Sequence, residues 1–146
     1  MDSLRPFLLF DGNCREALQF YQRCLESDTS CELHFQTLAE TPDASLFPES
    51  LHPYIVHAVL RTDSFALLAT DLIPDNGLKR GNNVSLALEC KDPVELQRLY
   101  INLSEKGIAD LPPNITAQDT YSGMLTDRYG HQWWLYTRKT TNSVPR

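Results

Sequence analysis

The side chains best suited to acid–base chemistry in this sequence are His57 and Glu89, which lie in two different predicted strands. An imidazole titrates near neutral pH, so His57 could act as a general base, and so could the Glu89 carboxylate. His34 lies on the polar face of another predicted strand and could meet His57 across a sheet, where two imidazoles could bind a metal ion. The alternative for His57 is a strand-end histidine held by a hydrogen bond. For Glu89 it is a carboxylate that reaches water.

The four cysteines form no C-x-x-C pair, and their spacings match no zinc motif. Cys14 and Cys24 fall in a predicted helix, and Cys90 ends a predicted strand. We therefore expect reduced, buried thiols, Cys31 included, that act as small apolar side chains. A nucleophilic or redox role is the alternative. The sequence also has no G-x-S-x-G elbow, no G-x-G-x-x-G loop and no P-loop, so it predicts neither a hydrolase triad nor a nucleotide site.

Two adjacent tryptophans near the end of the chain indicate a binding surface. In a strand, Trp133 and Trp134 point to opposite faces, so we expect Trp133 in the core and Trp134 on the open face. There the Trp134 ring could stack on a ligand or, alternatively, fill an empty cavity. We predict a small-molecule pocket with three aromatic walls and three polar contacts, formed by Trp134, Tyr136, Tyr121, His57, Asn83 and Ser85.

Eight predicted strands and two predicted helices position these residues. The first helix follows Asn13, which has the pattern of a capping box with Glu16, and the second follows Asp92, which has the same pattern with Glu95. Gly107 is expected just past the end of the second helix. The predicted strands span Leu4–Phe10, Thr29–Thr37, Ile55–Arg61, Phe65–Thr70, Asn83–Cys90, Ile108–Ala117, Tyr121–Thr126 and Gln132–Thr137.

The second half of the sequence repeats the order of elements in the first half. A shift of 79 residues places Asn13 on Asp92, and each half reads strand–helix–strand–strand–strand. This order predicts an α+β fold, with two βαβββ modules in tandem forming a curved mixed sheet that has its helices on the outside. In the first strand we expect Phe7 and Leu9 to face the helix and Leu8 to line the opposite face.

Length and charge limit the organisation and the partners of the chain. We expect one domain over residues 1–138, with modules at about 1–72 and 83–138, and a frayed tail at 139–146. The net charge of −6 opposes contact with a phosphate backbone, which excludes a nucleic-acid partner. No apolar run approaches the roughly 20 residues that cross a bilayer, and the N-terminus lacks a signal-peptide pattern. We therefore expect a cytoplasmic protein with no membrane partner.

Four segments in fixed order carry a resemblance to a known group of proteins: FLLFDGNCREALQFY, IVHAVLRTDSFALLATD, GNNVSLALECKD and AQDTYSGMLTDRYGHQWW. Together they resemble the PhnB-like branch of the vicinal-oxygen-chelate superfamily, the superfamily of glyoxalases and bleomycin-resistance proteins. The resemblance implies a glyoxalase-like fold of paired βαβββ modules and a homodimer as the assembly. It also implies a cavity in which the wider superfamily holds a divalent metal by four side chains, one each from the first and last strands of each module.

The positions that match those metal ligands do not hold metal-binding side chains. Counting from the helix caps gives Pro6 and Ser85, and counting to the last strand of each module gives Leu68 or Thr70, and Trp134. None of these supplies an imidazole, carboxylate or thiolate. We therefore expect no cofactor, although a divalent metal remains possible with a different ligand set.

Three functions follow from these observations. The first is a metal-free protein that binds a small organic molecule in the predicted pocket. The second is a metal-dependent lyase, isomerase or dioxygenase of the same superfamily, with a displaced ligand set in which His57 and Glu89 are the catalytic candidates. The third is a dimeric interaction module without a ligand, in which side chains fill the concave face.

Overall fold

The described residues form two four-stranded sheets, and each sheet carries one helix. A computed structural model of the chain describes residues 1–27, 29–72, 76–116 and 119–138. The chain divides into two units, Met1–Lys79 and Arg80–Arg146. The frayed tail predicted at 139–146 lies outside the described residues. No helix in the described parts of the chain is long and apolar enough to cross a membrane.

The first unit contains a mixed four-stranded sheet with the strand order β1-β4-β3-β2. In this sheet β1 runs parallel to β4, and the other two pairs are antiparallel. Three short 3-10 turns occupy the long connection between β2 and β3, at Leu38–Glu40, Ala44–Leu46 and Glu49–Leu51. The regular elements are β1 (Phe7–Leu9), α1 (Cys14–Leu25), β2 (Glu32–Thr37), β3 (Ile55–Arg61) and β4 (Ala66–Thr70).

The second unit has the same topology, with the strand order β5-β8-β7-β6 and the pair β5–β8 parallel. Its elements are β5 (Leu86–Cys90), α2 (Pro93–Ser104), β6 (Ile108–Ile115), β7 (Tyr121–Thr126) and β8 (Gln132–Thr137). The helices begin at Cys14 and Pro93, which is the predicted shift of 79 residues, and each has 12 residues. The predicted α+β class with tandem βαβββ modules is therefore confirmed.

The two helices begin differently, although their sequences suggested the same cap. At α2 the Asp92 side chain accepts a hydrogen bond from the backbone N–H of Glu95 at 2.8 Å, as predicted. At α1 the Asn13 side chain makes no such bond. The Cys14 N–H there donates instead to Asp71, a buried residue just after β4, at 3.0 Å. The capping box predicted at Asn13 is therefore wrong, because a carboxylate from a distant segment takes its place.

Helix α1 covers one face of the first sheet. Across the four strands this face carries, in register, Leu8, Ala69, Ala58 and Phe35. The Arg15 guanidinium of α1 lies 4.6 Å from the centre of the Phe35 ring, which fixes the side on which the helix packs. Leu8 is buried on this side, whereas Phe7 is 57% exposed. The prediction that Phe7 and Leu9 face the helix is wrong, since an all-apolar segment has no alternation to mark its buried face.

On β8 the predicted facing of the two tryptophans is confirmed. Leu125, Trp133 and Leu135 are buried beneath α2, and Trp134 points to the opposite face. Ile108–Ile115 forms an edge strand that contains two prolines, and its register with β7 is irregular near them.

Gly107 has a different role from the predicted helix stop. The residue after the C-cap of α2 that adopts a positive φ is Lys106, at 60°. Gly107 instead lets the chain pass close to the β7–β8 turn. A Cβ atom at Gly107 would lie 2.2 Å from the carbonyl oxygen of Thr126 and 2.9 Å from the carbonyl carbon of Asp127.

Candidate functional site

A stacked pair of aromatic rings lies on the face of the second sheet opposite α2. Trp134 and Tyr136 are two residues apart on β8, so both side chains project from the same face. Their ring centres are 4.4 Å apart and their planes differ by 17°. Trp134 is 37% exposed, whereas Trp133, its neighbour in the sequence, is fully buried. An exposed and pre-ordered aromatic surface of this kind can bind a planar apolar group.

A hydrogen-bonded carboxylate adjoins this surface. Glu89 lies directly opposite Tyr136 in the parallel pair β5–β8. Its Oε1 atom accepts hydrogen bonds from the Tyr136 hydroxyl at 3.3 Å and from Arg138 Nη2 at 3.2 Å. Its Oε2 atom lies 3.1 Å from Arg138 Nη2 in an ion pair. Trp134, Tyr136, Glu89 and Arg138 therefore form one contiguous group of side chains, which we call the β8 surface.

The environment of Tyr136 favours the protonated form of its hydroxyl. Partial burial, the Glu89 charge and the hydrogen bond to Glu89 raise the pKa of Tyr136, and the Arg138 charge offsets part of this effect. The phenol thus donates its proton to Glu89 and has only oxygen lone pairs left for a ligand. The β8 surface combines aromatic faces, a phenol oxygen that can accept, and a carboxylate held by two donors.

Tyr121, the third predicted aromatic wall, lies on the other side of the sheet. Its hydroxyl accepts a hydrogen bond of 2.8 Å from Gln97 Nε2 of α2. Along β7 it shares its face with Leu125, which α2 buries. The structure therefore does not bring Tyr121 to Trp134 and Tyr136.

Asn83 and Ser85 lie in the segment that leads into β5. Ser85 is half-buried and immediately precedes the strand, two residues before Ala87, which pairs with Trp134. Asn83 is exposed in a bend. Both residues belong to the same unit as the β8 surface.

His57 and His34 are exposed on the first sheet, on the face opposite α1. His57 pairs with Gln36 and His34 pairs with Val59, so the two imidazoles occupy diagonal positions on adjacent strands. Diagonal neighbours in a sheet are about 7–8 Å apart, within reach of long side chains. The two imidazoles therefore share one sheet face.

The other two histidines are held by their own loops. His52 Nε2 lies 2.8 Å from the carbonyl oxygen of Ala44 and 3.2 Å from that of Phe47, which ties the long loop of the first unit together. The backbone N–H of His131 donates to Asp127. In the described ranges, no three or more His, Cys, Asp or Glu side chains converge in a way that could hold a metal ion.

The cysteines match the prediction of reduced, mainly buried thiols. Cys14, Cys24 and Cys90 are buried, Cys31 is half-buried, and none of the four forms a disulfide. Burial, and after it the Asp71 charge, raises the pKa of Cys14 to about 12. Burial also raises the pKa of Cys31, with smaller contributions from Glu26 and Asp63. Such thiols carry little thiolate at neutral pH and are poor nucleophiles.

The sequence analysis missed Arg138, the cation of the β8 surface. It lies one residue past β8 and two residues after Tyr136, so simple alternation along the strand places it on the same face. The signal that could have found it was the strand repeat Trp134–Tyr136–Arg138 together with Glu89 as the only carboxylate in β5.

Comparison with known protein sequences identifies a family and a relative. The sequence model of the family described as 3-demethylubiquinone-9 3-methyltransferase matches residues 2–136. Protein YjdN of Escherichia coli is 28% identical over 140 residues, covering 90% of this chain and 92% of YjdN.

Three solved structures share the architecture. Protein PA1353 from Pseudomonas aeruginosa is 31% identical, with a TM-score of 0.78 and coverage of 94% of this chain and 100% of that chain. A putative 3-demethylubiquinone-9 3-methyltransferase, PhnB protein, from Bacillus cereus is 20% identical, with a TM-score of 0.74 and coverage of 94% and 100%. A glyoxalase-related enzyme from Fulvimarina pelagi is 15% identical, with a TM-score of 0.60 and coverage of 94% and 89%. The last two likenesses concern the fold alone.

Proposed function

The chain belongs to the PhnB-like family described as 3-demethylubiquinone-9 3-methyltransferase, within the glyoxalase/bleomycin-resistance superfamily, and from this membership we propose that it binds a small organic molecule. The observation that supports this proposal is the stacked and exposed pair Trp134–Tyr136 on β8. The ligand is planar over at least part of its structure, and it packs against the indole of Trp134.

The shape of the β8 surface favours a flat ligand. Stacking on Tyr136 restricts the rotation of the Trp134 ring, so little conformational entropy is lost when a second ring packs against it. An aromatic contact contributes about 0.5–1.5 kcal/mol beyond the apolar area that it buries. The Glu89 carboxylate, held by the Tyr136 hydroxyl and Arg138, gives the surface a polar side next to its aromatic rings.

In this proposal the small molecule binds without a metal ion at the four positions where the wider superfamily has its metal-binding side chains. Proline, serine, leucine or threonine, and tryptophan stand at those positions, and their side chains do not supply the donor set that a divalent metal requires. At one of them, Trp134 contributes its ring to the stack instead.

The description of the family names a methyl-transfer activity, and we do not propose that activity for this chain. The sequence has no glycine-rich loop of the kind that cradles S-adenosylmethionine. We do propose a homodimer, following the family resemblance, and a cytoplasmic location, following the sequence pattern. Sedimentation velocity at micromolar concentration is the measurement that tests the dimer.

One observation favours a second function, that of a metal-dependent lyase, isomerase or dioxygenase. His34 and His57 lie on one face of adjacent strands, and two imidazoles can form part of a metal site. This function requires at least one further ligand. Thermal unfolding with Zn, Mn, Fe(II), Ni and Co tests it, because a metal present at a hundredfold excess over its Kd stabilises the fold by about 2.7 kcal/mol. A melting shift that disappears in His57→Ala would replace the first proposal with the second.

The binding proposal itself is tested by nuclear magnetic resonance of the two indole N–H groups. The Trp134→Phe variant assigns the two signals, and a library of planar fragments is then titrated against the wild type. We expect fragments to shift the Trp134 signal and leave the Trp133 signal in place. Trp134→Ala should abolish this binding. Ile101→Ala, which truncates another exposed apolar side chain, on α2, should not. A library without a single hit at Trp134 would refute the proposal.

A further inference from the structure

A cleft of about 350 Å³ opens in the first unit, where the N-terminal segment separates from β4. Two stretches of chain line it, residues 3–6 and residues 61–66. Next to the cleft the N-terminal segment is joined to β4, since the Leu68 N–H donates to the Pro6 carbonyl oxygen at 3.0 Å. The cleft therefore lies at the end of the ladder of backbone hydrogen bonds between these two segments.

The backbone N–H of Ala66 has no acceptor among the described residues and points toward the N-terminal side of the cleft. In a strand, residues two apart direct their N–H groups to the same side, so Ala66 points as Leu68 does. By register the acceptor would be the Leu4 carbonyl, but the ladder stops at Pro6, and Leu4 is 99% exposed. Ala66 itself is 4% exposed, so a donor without a partner belongs to a largely buried residue.

Two arginines flank this donor. Arg61 pairs with Ala66 across β3 and β4, and Arg5 precedes Phe7, the partner of Leu68, by two residues. Both arginines line the cleft, and neither forms an ion pair or a hydrogen bond with a described residue. Like charges in one cleft repel each other, even in a chain with a net charge of −6, and an anion between them would offset that repulsion.

Two carboxylates lie near the arginines without pairing with them. Glu32 is directly opposite Arg61 in the β2–β3 register, but the two side chains form no ion pair. Asp63 lines the cleft, and its charge contributes to the raised pKa of Cys31, which lies just before β2. The charge of Asp63 is therefore close to the β2 side of the sheet, whereas Arg5 lies on the β1 side.

We propose that this cleft binds the phosphate group of a small molecule, through the side chains of Arg5 and Arg61 and the N–H of Ala66. A phosphate monoester carries a charge of about −1.5 to −2 at pH 7 and has three strong acceptor oxygens. It therefore matches two guanidinium groups and one backbone donor. A carboxylate has one charge and two oxygens, so it would leave part of this set of donors unused.

The cleft also has room for the organic part of such a ligand. Its volume exceeds that of a phosphate ion, and the apolar side chains of Leu4 and Phe65 line it. The overall negative charge opposes a long phosphate backbone, but a single phosphate group responds mainly to charges within about 10 Å. The site belongs to the first unit, so this proposal does not depend on the ligand of the β8 surface in the second unit.

Nitrogen-15 magnetic resonance of the full chain tests the proposal through the amide signal of Ala66. Three probes are titrated at constant ionic strength: inorganic phosphate, phenyl phosphate and benzoate. Their Kd values are measured in the wild type, in Arg5→Gln and in Arg61→Gln. Arg23→Gln is the control, because it removes the same charge from an exposed arginine in the last turn of α1, in the same unit.

We expect both phosphates to shift the Ala66 signal to saturation, with phenyl phosphate the tighter, and benzoate to bind at least about tenfold more weakly than phenyl phosphate. Arg5→Gln and Arg61→Gln should each weaken phosphate binding by about tenfold or more, as the loss of a hydrogen bond to a charged group implies. Arg23→Gln should leave it unchanged.

Four results would overturn the proposal. They are a phosphate shift at Ala66 that never saturates, an affinity for benzoate equal to that for phenyl phosphate, tighter binding of inorganic phosphate than of phenyl phosphate, and equal losses in Arg23→Gln and Arg61→Gln. The first and last would show only the general attraction of an anion to surface charge, and the other two would exclude an organic phosphate as the ligand. The proposed function is judged separately, at Trp134.

Discussion

The Asp71 carboxylate accepts a hydrogen bond from the backbone N–H of Cys14, with 3.0 Å between Oδ1 and the nitrogen, although the two residues are 57 positions apart. Its second oxygen, Oδ2, accepts from the backbone N–H of Ile55 at 2.9 Å. One buried side chain thus satisfies the first N–H of α1 and ties it to the start of β3. A carboxylate at a helix N-terminus also interacts favourably with the helix dipole.

Replacement of Asp71 by Asn should destabilise the fold. The Asn side chain has one acceptor oxygen and directs an NH2 group at the other backbone donor, so at least one charge-assisted hydrogen bond is lost in a buried place. We expect Asp71→Asn to lower the free energy of unfolding by about 2–3 kcal/mol in a urea titration.

The matched control for this prediction is Asn13→Ala. Asn13 is the residue at the cap position of α1, but its side chain makes no cap hydrogen bond, so the expected change is within about 0.5 kcal/mol. A larger loss in Asn13→Ala than in Asp71→Asn would show that the local residue is the true cap.

The two helix N-termini also show which contacts a local sequence pattern can predict. Asp92 and Glu95 form their contact within one turn, so the pattern of the sequence was enough to predict it. The partner of the α1 N-terminus comes from the end of β4, and no local pattern reports on a contact that only the tertiary fold creates. The predicted facing of Leu8 was wrong for a related reason. The strand β1 has just three residues, and the residues before and after Leu8 along it are also apolar.

The close approach of Gly107 to β7 gives a second stability prediction. In Gly107→Ala the new Cβ would overlap backbone atoms of Thr126 and Asp127, which cannot move without disturbing the sheet. We expect a loss of about 2–3 kcal/mol in urea unfolding. Gly81→Ala is the control, because its nearest non-neighbouring atom is a side-chain oxygen 3.7 Å away, and it should change stability by less than about 0.5 kcal/mol. Equal effects of the two variants would contradict the packing argument.

Thiol chemistry provides a third prediction. With its pKa raised to about 12 by burial and by Asp71, Cys14 should resist iodoacetamide at pH 8, whereas half-buried Cys31 should be alkylated first. Peptide mass spectrometry after timed alkylation of the folded protein measures the order. The order should disappear in denaturing urea, where all four thiols react at similar rates. Rapid modification of Cys14 in the folded state would show that the thiol is more accessible than its burial implies.

The titration of Tyr136 gives a prediction with a defined pH dependence. Burial and Glu89 raise the pKa of its hydroxyl above the ordinary value of 10.0, so the folded state holds this proton more tightly than the unfolded chain does. The resulting stabilisation is fully present below pH 10 and is lost as the pH rises through the raised value. Glu89→Gln removes a negative neighbour, so we expect the pKa of Tyr136 to fall while remaining raised by burial. The carbon-13 shift of the Tyr136 ring, measured against pH, reports the value directly.

An upward change of the Tyr136 pKa in Glu89→Gln would contradict the arrangement of the β8 surface. The same titration in Arg138→Gln serves as the opposite control. Loss of that cation should raise the pKa of Tyr136, since Arg138 lowers it in the native protein.

The candidate site was predicted in part from the sequence. Strand alternation was enough to place Trp134 and Tyr136 on one face and Trp133 on the other, because β8 is a regular six-residue strand. Alternation along β8 does not predict which side chains of the neighbouring strand β7 lie beneath α2. Tyr121 was therefore expected beside Trp134, and the structure places it against Gln97 instead. The contact between Glu89 and Tyr136 depends on the register of a parallel pair, which the sequence of either strand alone does not specify.

The same substitution should destabilise the fold far more at Trp133 than at the adjacent Trp134. Trp133 is buried, and its Nε1–H donates to the buried Asp127 carboxylate at 2.8 Å. Trp133→Phe removes this donor and core volume, so we expect a loss of about 2–3 kcal/mol. Trp134→Phe keeps a ring on an exposed face and should cost less than about 1 kcal/mol.

Acrylamide quenching of fluorescence separates the same two residues in the folded protein. Trp134 is 37% exposed and Trp133 is 2% exposed, so the quenchable emission of the wild type should come from Trp134. Trp134→Phe should leave a weakly quenched protein of nearly unchanged stability. If that variant were quenched as strongly as the wild type, Trp134 would not be the accessible ring, and the β8 surface would lose its place as the proposed ligand contact.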